Sequence, residues 1–377
     1  MQRIYFDNAA TTPLDPEVLN AMMPYMTEKF GNPSSIYSYG RETKMAIENA
    51  RKSVAKILGV TPGEIFFTSG GTESSNTAIH ASVKDLGCKH IISSAIEHHA
   101  TLHTVENIAK SGLATLSFVN LTDKGHIDLV HLETLLAESK EKTLVTLMHA
   151  NNEIGNLLDV KAVGELCKKY NAIFHCDMVQ TIGHYPINLR DIHIHFASSA
   201  GHKFHGPKGV GILFINEDIK INPMLQGGSQ ERNMRAGTEN LYGIVGYAKA
   251  LELATQNFND DSSYVGNIKS YMAERIADLF PGAMFSGDMN GKSLYTVLNV
   301  AFQQNDKSEM LLFNLDMAGI CVSGGSACSS GANSVSHVIQ ALYGSKGAEL
   351  VPIRFSFSKH NTKEEVDVVL EKLKTLV

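Results

Sequence analysis

Between Glu64 and Ile215 one pattern repeats along the chain: a short run rich in β-branched and aromatic residues, then, in most cases, a stretch with helical spacing. The runs lie at Glu64 to Thr68, His90 to Ser94, Ala114 to Val119, Thr143 to His149, Ala172 to Asp177, Ile192 to Ser198 and Val210 to Ile215. They are apolar on both faces. Strands of that kind alternating with helices predict an α/β fold with a mainly parallel, seven-stranded sheet covered by helices. The last run follows its neighbour through a short Gly-rich turn, which leaves it open to an antiparallel place. In a sheet of this type ligands bind beyond the strand ends.

The flanking segments read differently. Asp15, Pro16 and Glu17 supply a cap, a first-turn proline and a first-turn acid for a helix through Val18, Leu19, Met22 and Met23. A second helix is expected over Arg41 to Leu58, apolar along Ile47, Ala50, Val54, Ile57 and Leu58, ending at Gly59. At 377 residues the chain exceeds one small core, so a large domain and a smaller one are expected. After about Asp260 the character changes to a helix near Tyr264 to Phe280, strands at Tyr295 to Phe302 and Pro352 to Ser358, and a final helix from Thr362. Thr362 and Glu365 there form a capping box.

A net charge of -6 without a stripe of Lys or Arg speaks against a nucleic-acid partner. No apolar segment approaches the ~20 residues that cross a bilayer. The opening Met1 to Asp7 breaks with polar residues where a signal peptide stays apolar, so neither a membrane span nor export is expected. Five cysteines without a CxxC pair fit a reduced, cytoplasmic setting better than a disulfide framework or zinc ribbon. The pairs His193/His195 and His202/His205 lack a complementary acid or cysteine pattern, and no metal site is expected.

Chemistry gathers at the run ends. Lys203 follows a strand among small residues, a setting that lowers an amine's pKa enough for attack on an aldehyde. Thr68 to Ser74 follows a strand and opens a helix, so Gly71 and Thr72 offer either a phosphate site or a plain N-cap turn. Asp177 ends a buried run and needs a partner, either a cap or the protonated ring nitrogen of a ligand; Gln180 is within reach of the same ring. His98 is placed to stack on that ring and exchange protons, and Asn152 turns at the same sheet edge. Cys328 sits in a Gly/Ser/Ala-rich loop and is expected to be an exposed, travelling nucleophile, whereas Cys88, Cys167, Cys176 and Cys321 read as structural.

A phosphate-binding turn, a ring-stacking histidine, an aspartate for a pyridinium nitrogen and a downstream lysine, in that order, resemble the fold-type I pyridoxal-phosphate transferases. Within that group YFDNAATTP, GNPSS, TSGGTES, EHH, MHANNEIG, HCDMVQ, GHKFHGPKG, RAGTEN, SGGSACSSG and IRFS are similar to the cysteine desulfurases of the NifS/IscS type, over almost the whole chain. The resemblance implies a large cofactor domain, residues 16–258, and a smaller α+β domain from residues 1–15 plus 259–377 that carries the cysteine loop. It also implies a homodimer with shared sites.

By position, the resemblance makes Lys203 the Schiff-base lysine, Asp177 the partner of the ring nitrogen, and Gln180 and Asn152 contacts on the ring hydroxyl side. His98 would stack and shuttle protons. Gly71, Thr72 and His202, with Thr238 from the other subunit, would hold the phosphate. Arg354 would grip the carboxylate of L-cysteine, with Asn32 nearby, and Cys328 would take its sulfur as a persulfide, leaving alanine. An iron-sulfur scaffold or a tRNA-thiolation enzyme would accept the sulfur.

The chain departs from the family pattern in four places. Ala200 replaces a serine, with Ser199 as a compensating hydroxyl; Tyr37 replaces a histidine; SGGSAC replaces SSGSAC; and the chain stops soon after its last helix, without a scaffold-docking tail. The competing readings are a selenocysteine lyase or another class-V enzyme of this fold, and, in another class, a catalytically idle sulfur carrier or assembly protein.

Overall fold

A computed structural model describes residues 3–289, 291–304, 310–324 and 336–377. A short strand β1 (Ile4–Tyr5) and two helices, α1 (Pro16–Thr27) and α2 (Ser38–Ile57), lead into the larger sheet. The Asp15 carboxylate accepts the Glu17 N–H and Pro16 fills the first turn, as the sequence implied. Strands β2 (Ile65–Thr68), β3 (His90–Ser93), β4 (Thr115–Phe118), β5 (Thr143–Thr146) and β6 (Ile173–Asp177) alternate with helices α3 (Gly71–Lys84), α4 (His99–Lys110), α5 (Leu129–Glu138) and α6 (Val160–Lys169). β7 (Phe196–Ala200), β8 (Gly211–Ile215) and α7 (Leu241–Gln256) complete this part.

The seven strands stand in the order β2-β8-β7-β6-β5-β3-β4. They pair in parallel from β4 through to β7, and β8 is antiparallel to both β7 and β2. The link from β7 to β8 is too short for a helical crossover, which needs a dozen residues or more, so β8 returns in the opposite direction. Alternate side chains serve opposite faces. Ile65, Phe67, Val145, Phe174, Ala197 and Phe214 pack toward α1, α2, α6 and α7, while Phe66, Leu144, Ile173, Phe196 and Leu213 pack toward α3 and α4.

Beyond α7 come α8 (Phe258–Leu279), β9 (Met284–Phe285), β10 (Val297–Gln303), α9 (Leu311–Met317), β11 (Ile320–Cys321), α10 (His337–Tyr343), β12 (Leu350–Ser356) and α11 (Lys363–Leu376). β12, β10 and β9 form an antiparallel sheet, and β1 pairs in parallel with β11. Ile4 and Phe6 thereby join a core of their own with Val265, Ile268, Met272, Val300, Phe355, Val366 and Leu370. The Thr362/Glu365 capping box opens α11 as expected.

Helix α8 begins six residues before the expected Tyr264, and α2 three before Arg41. Both first turns are largely exposed and carry no apolar period, and in α8 Asp260 and Asp261 favour the start electrostatically. No helix among the described residues is long and apolar enough to cross a membrane.

Candidate active site

The strand ends converge on one cleft of about 240 Å³, lined by Gly71, Thr72, His98, Asn152, Asp177, Gln180, His202, Lys203 and Arg354 together with Ala9 and Ala10. Parallel pairing puts the ends of β5, β6 and β7 on one edge, so Asn152, Asp177 and Lys203 meet although they are far apart in sequence.

Gly70, with φ 151°, turns the chain from β2 into α3, a backbone shape that a side chain would strain. It offers no side-chain cap, so the first N–H groups of a 14-residue helix, those of Gly71 and Thr72 among them, are left to a ligand at its positive end. His98 caps α4 with its ring: Nδ1 accepts the Ala100 N–H at 3.1 Å, which puts the proton on Nε2. Burial, with the Lys203 cation second, holds this imidazole down at about 4, so it is neutral near pH 7. Glu97 beside it is wholly buried and accepts the Met148 N–H at 2.7 Å; burial keeps its pKa well above the usual carboxylate range.

Asp177 is pushed up to about 6 by burial, against the opposing pull of the Val179 N–H and the Lys203 amine. Its carboxylate therefore stands desolvated at the cleft wall, where a cationic ring N–H would restore its charge. Lys203 donates its amine to the carbonyls of Ala9 at 2.6 Å and Ala10 at 2.9 Å, and Gln180 donates to the same Ala9 carbonyl at 3.1 Å. His202 bonds Thr11 Oγ1 at 3.1 Å through Nδ1, and burial lowers it to about 4.

Arg354, in β12, is 1% exposed. It donates Nη1 to the Asn152 carbonyl at 2.9 Å and Nη2 to Asp7 Oδ1 at 2.6 Å, while Nε is buried without a hydrogen-bond partner among the described residues. A half-satisfied guanidinium in a cleft is a carboxylate site by its chemistry.

Two expectations turn out differently, and a third, Thr238, concerns the other subunit. Ser199 does not compensate for Ala200: neighbouring strand residues point to opposite faces, and its buried Oγ accepts the Tyr247 O–H at 2.9 Å while Ala200 lines the cleft. Asn32 is exposed and closes a turn, its Oδ1 accepting the Ser34 N–H at 2.9 Å, and it does not line the cleft of its own chain. Thr238 borders a separate hollow with Ser69, Gly209 and Arg235.

Cys328 lies outside the described residues. The chain on either side of it is anchored at the cleft: Ser323 exchanges both backbone hydrogen bonds with Arg354, at 2.7 and 3.3 Å. Ser336 donates to Glu153, next to Asn152, at 2.5 Å, and His337 donates to the Glu97 carbonyl at 3.0 Å. Cys88, Cys167 and Cys176 are buried, and burial raises the pKa of each, so these thiols are inert. Sequence reasoning missed Glu97, Glu153 and Asp7; two of the three carry the signal of standing directly beside an expected site residue.

Fold and site define an α/β enzyme whose cleft brings together a lysine, a desolvated carboxylate and a buried guanidinium. The family model described as Aminotransferase class-V matches residues 4–369. The chain belongs to the class-V aminotransferase family. It is 40% identical to the cysteine desulfurase IscS of Dictyoglomus turgidum over 378 residues, covering 100% of this chain and 95% of that one. To the cysteine desulfurase NifS of Azotobacter vinelandii it is 39% identical over 379 residues, covering 100% and 93%. A solved NifS-like protein superposes with a TM-score of 0.90 at 36% identity, covering 99% of each chain.

Proposed function

We propose that the chain is a pyridoxal-phosphate-dependent cysteine desulfurase, which takes sulfur from L-cysteine and releases L-alanine. The observation that carries the reading is the buried Arg354, its Nε–H without a partner among the described residues, in the same cleft as Lys203 and Asp177.

The donor set fits the cofactor. The α3 N-terminus with Gly71, Thr72 and His202 suits a phosphate, Asp177 suits a pyridinium nitrogen, Gln180 and Asn152 suit the ring hydroxyl side, and Lys203 suits an aldehyde. When bound, the cofactor supplies an electron sink for the substrate's α-carbon. Asp177 keeps the nitrogen protonated. His98 would stack on the ring, and because its Nδ1 is held by the Ala100 N–H, any proton it exchanges would pass through Nε2. Arg354, clamped by Asp7 and the Asn152 carbonyl, orients the substrate carboxylate. The Cys328 thiolate attacks the substrate sulfur: an S–S bond forms, the C–S bond breaks with its electron pair left on carbon, and protonation there gives alanine. A persulfide remains on Cys328 for an acceptor protein of iron-sulfur assembly or tRNA thiolation.

Residues 16–258 form the cofactor domain, and 1–15 with 259–377 the smaller one, a division supported by their separate apolar cores. The working unit is a homodimer. In support, Met23, Met26, Phe30, Ile36, Tyr39 and Met45 are exposed along α1, α2 and their link. Thr238 would serve the partner's phosphate. A cytoplasmic location agrees with three buried free thiols.

The experiment is the visible spectrum of the purified protein before and after L-cysteine, with alanine and sulfide measured under a reductant. Colour that responds to cysteine, with alanine formed, is expected; Cys328→Ala should keep the colour and lose sulfide release. A protein that cannot be reconstituted to a coloured form would overturn the reading.

A further inference from the structure

Lys203 is gripped at both ends. Its amine lies on the carbonyls of Ala9 and Ala10, and its own carbonyl accepts a hydrogen bond from His184 Nε2 at 2.9 Å. A carbonyl only accepts, so the proton of the neutral ring is on Nε2 and Nδ1 is the acceptor. Nδ1 meets the hydroxyl of Tyr295 at 3.3 Å, so the tyrosine donates and the tautomer is set. Burial holds the His184 pKa below its ordinary value, which keeps the ring neutral. Tyr295 stands just before β10, and its ring also meets Tyr185 edge-on at 5.6 Å. A second, small cavity of about 50 Å³ opens behind the lysine and shares Ala9, Gln180 and Lys203 with the cleft. His184 and Tyr295 line it, so Lys203 belongs to a thin partition braced by this pair.

We propose that His184 is a positioning residue for Lys203, braced by Tyr295, which holds the lysine's main chain so that its amine, resting on the Ala9 and Ala10 carbonyls at the cleft wall, stays in line to leave them for an aldehyde in the cleft. This rests on the reading of Lys203 as the residue that bonds the aldehyde. There the amine condenses with the aldehyde carbon, a C=N bond replacing C=O as one water leaves. The two resting places compete for one amine. Loosening the main chain favours the carbonyls, because they suit the cationic amine and ask for no alignment.

The test compares wild type, His184→Ala, His184→Gln and Tyr295→Phe, all full length and loaded with pyridoxal phosphate. Total cofactor is read by release in alkali, and the share on Lys203 by borohydride trapping and intact mass. In His184→Ala, total cofactor should stay near stoichiometric while the trapped share falls several-fold. kcat for alanine formation should drop by about 10- to 100-fold, with KM within about threefold. His184→Gln, whose amide can donate and accept, should recover most of the trapped share. Tyr295→Phe should lower that share less, in the same direction. Equal trapping in wild type and His184→Ala would overturn the proposal, as would total cofactor and trapping falling together. Should His184→Ala fail to fold, unchanged trapping in the nearly isosteric Tyr295→Phe overturns it. Absence of trapped cofactor in the wild type would sink the reading of Lys203 instead.

Discussion

Arg354 keeps its Nε–H without a partner among the described residues although it is 1% exposed, and leaving such a donor unmade costs about 1–3 kcal/mol. Under the proposed function a substrate carboxylate would recover that energy. Arg354→Lys should therefore raise KM for L-cysteine by about 10- to 100-fold with a smaller change in kcat, since an ammonium lacks the planar fork that Asp7 and Asn152 hold in place. Initial rates of alanine formation measure the split. Asp177→Asn keeps the shape and removes the charge. Cofactor trapped on Lys203 should persist while kcat falls by about 100-fold or more. Nine of the expected site residues meet in one cleft: eight stand at a helix start or at or beyond a strand end, where the run boundaries mark them in the sequence, and Arg354 is brought there from within β12. Residues that act through others left weaker traces. Arg51 falls at helical spacing with Ile47 and Val54, and a charge on an apolar face was the one sign of its buried pairing with Glu231.

That pairing governs an element. Glu231, Arg232 and Asn233 all have positive φ, at 44, 57 and 67°, an uncommon run for residues with side chains. The Glu231 carboxylate accepts Arg51 Nη2 at 2.7 Å, Nη1 at 2.8 Å and the Phe67 N–H at 2.7 Å, which fastens the strained turn to α2 and β2. Arg51→Met leaves Glu231 buried and unpaired and should cost about 3–5 kcal/mol, read as a lower urea midpoint; Arg51→Met with Glu231→Leu should recover part of it. At the start of α10, Ser336 caps the helix and reaches Glu153. Ser336→Ala should leave cofactor content and KM unchanged and slow sulfide release several-fold, because Ser336 stands only eight residues after Cys328. The long elements were legible because their apolar faces alternate cleanly. β9, β11, α9 and α10 were not, since two to seven residues carry too few periods to stand out.

At the scale of the whole molecule, the exposed apolar side chains of α1 and α2 bear on assembly. Phe30→Asp with Ile36→Asp should convert a dimer to a monomer by light scattering and lower cofactor retention. Acid should also destabilise the fold. Burial, the leading cause in each case, lowers His98, His149, His195, His202 and His205 to about 4 and His175 to about 3. The unfolded chain takes up these protons near pH 6.5, whereas the fold refuses them until about 4. Their contribution is thus full above about pH 6.5 and is lost as pH falls through about 4. Asp177, raised to about 6, and Glu97, Glu239 and Asp261, also raised, act in the opposite sense, four groups against six. For the cofactor-free protein, Tm followed by circular dichroism should fall steadily from pH 7.5 to 4.5.

The strap that receives the Lys203 amine is secured from far along the chain: β1 by β11, Asp7 by Arg354, and the Asn8 side chain by Ser356 and Asn361. During synthesis, then, the socket is among the earliest parts made and the last to be fastened. A nascent polypeptide leaves the ribosome tunnel with its lysine unhoused, so under the proposed function cofactor loading should wait until the C-terminal segment is made. Ribosome-stalled chains ending before residue 350 should stay colourless in pyridoxal phosphate, however well their larger sheet has formed.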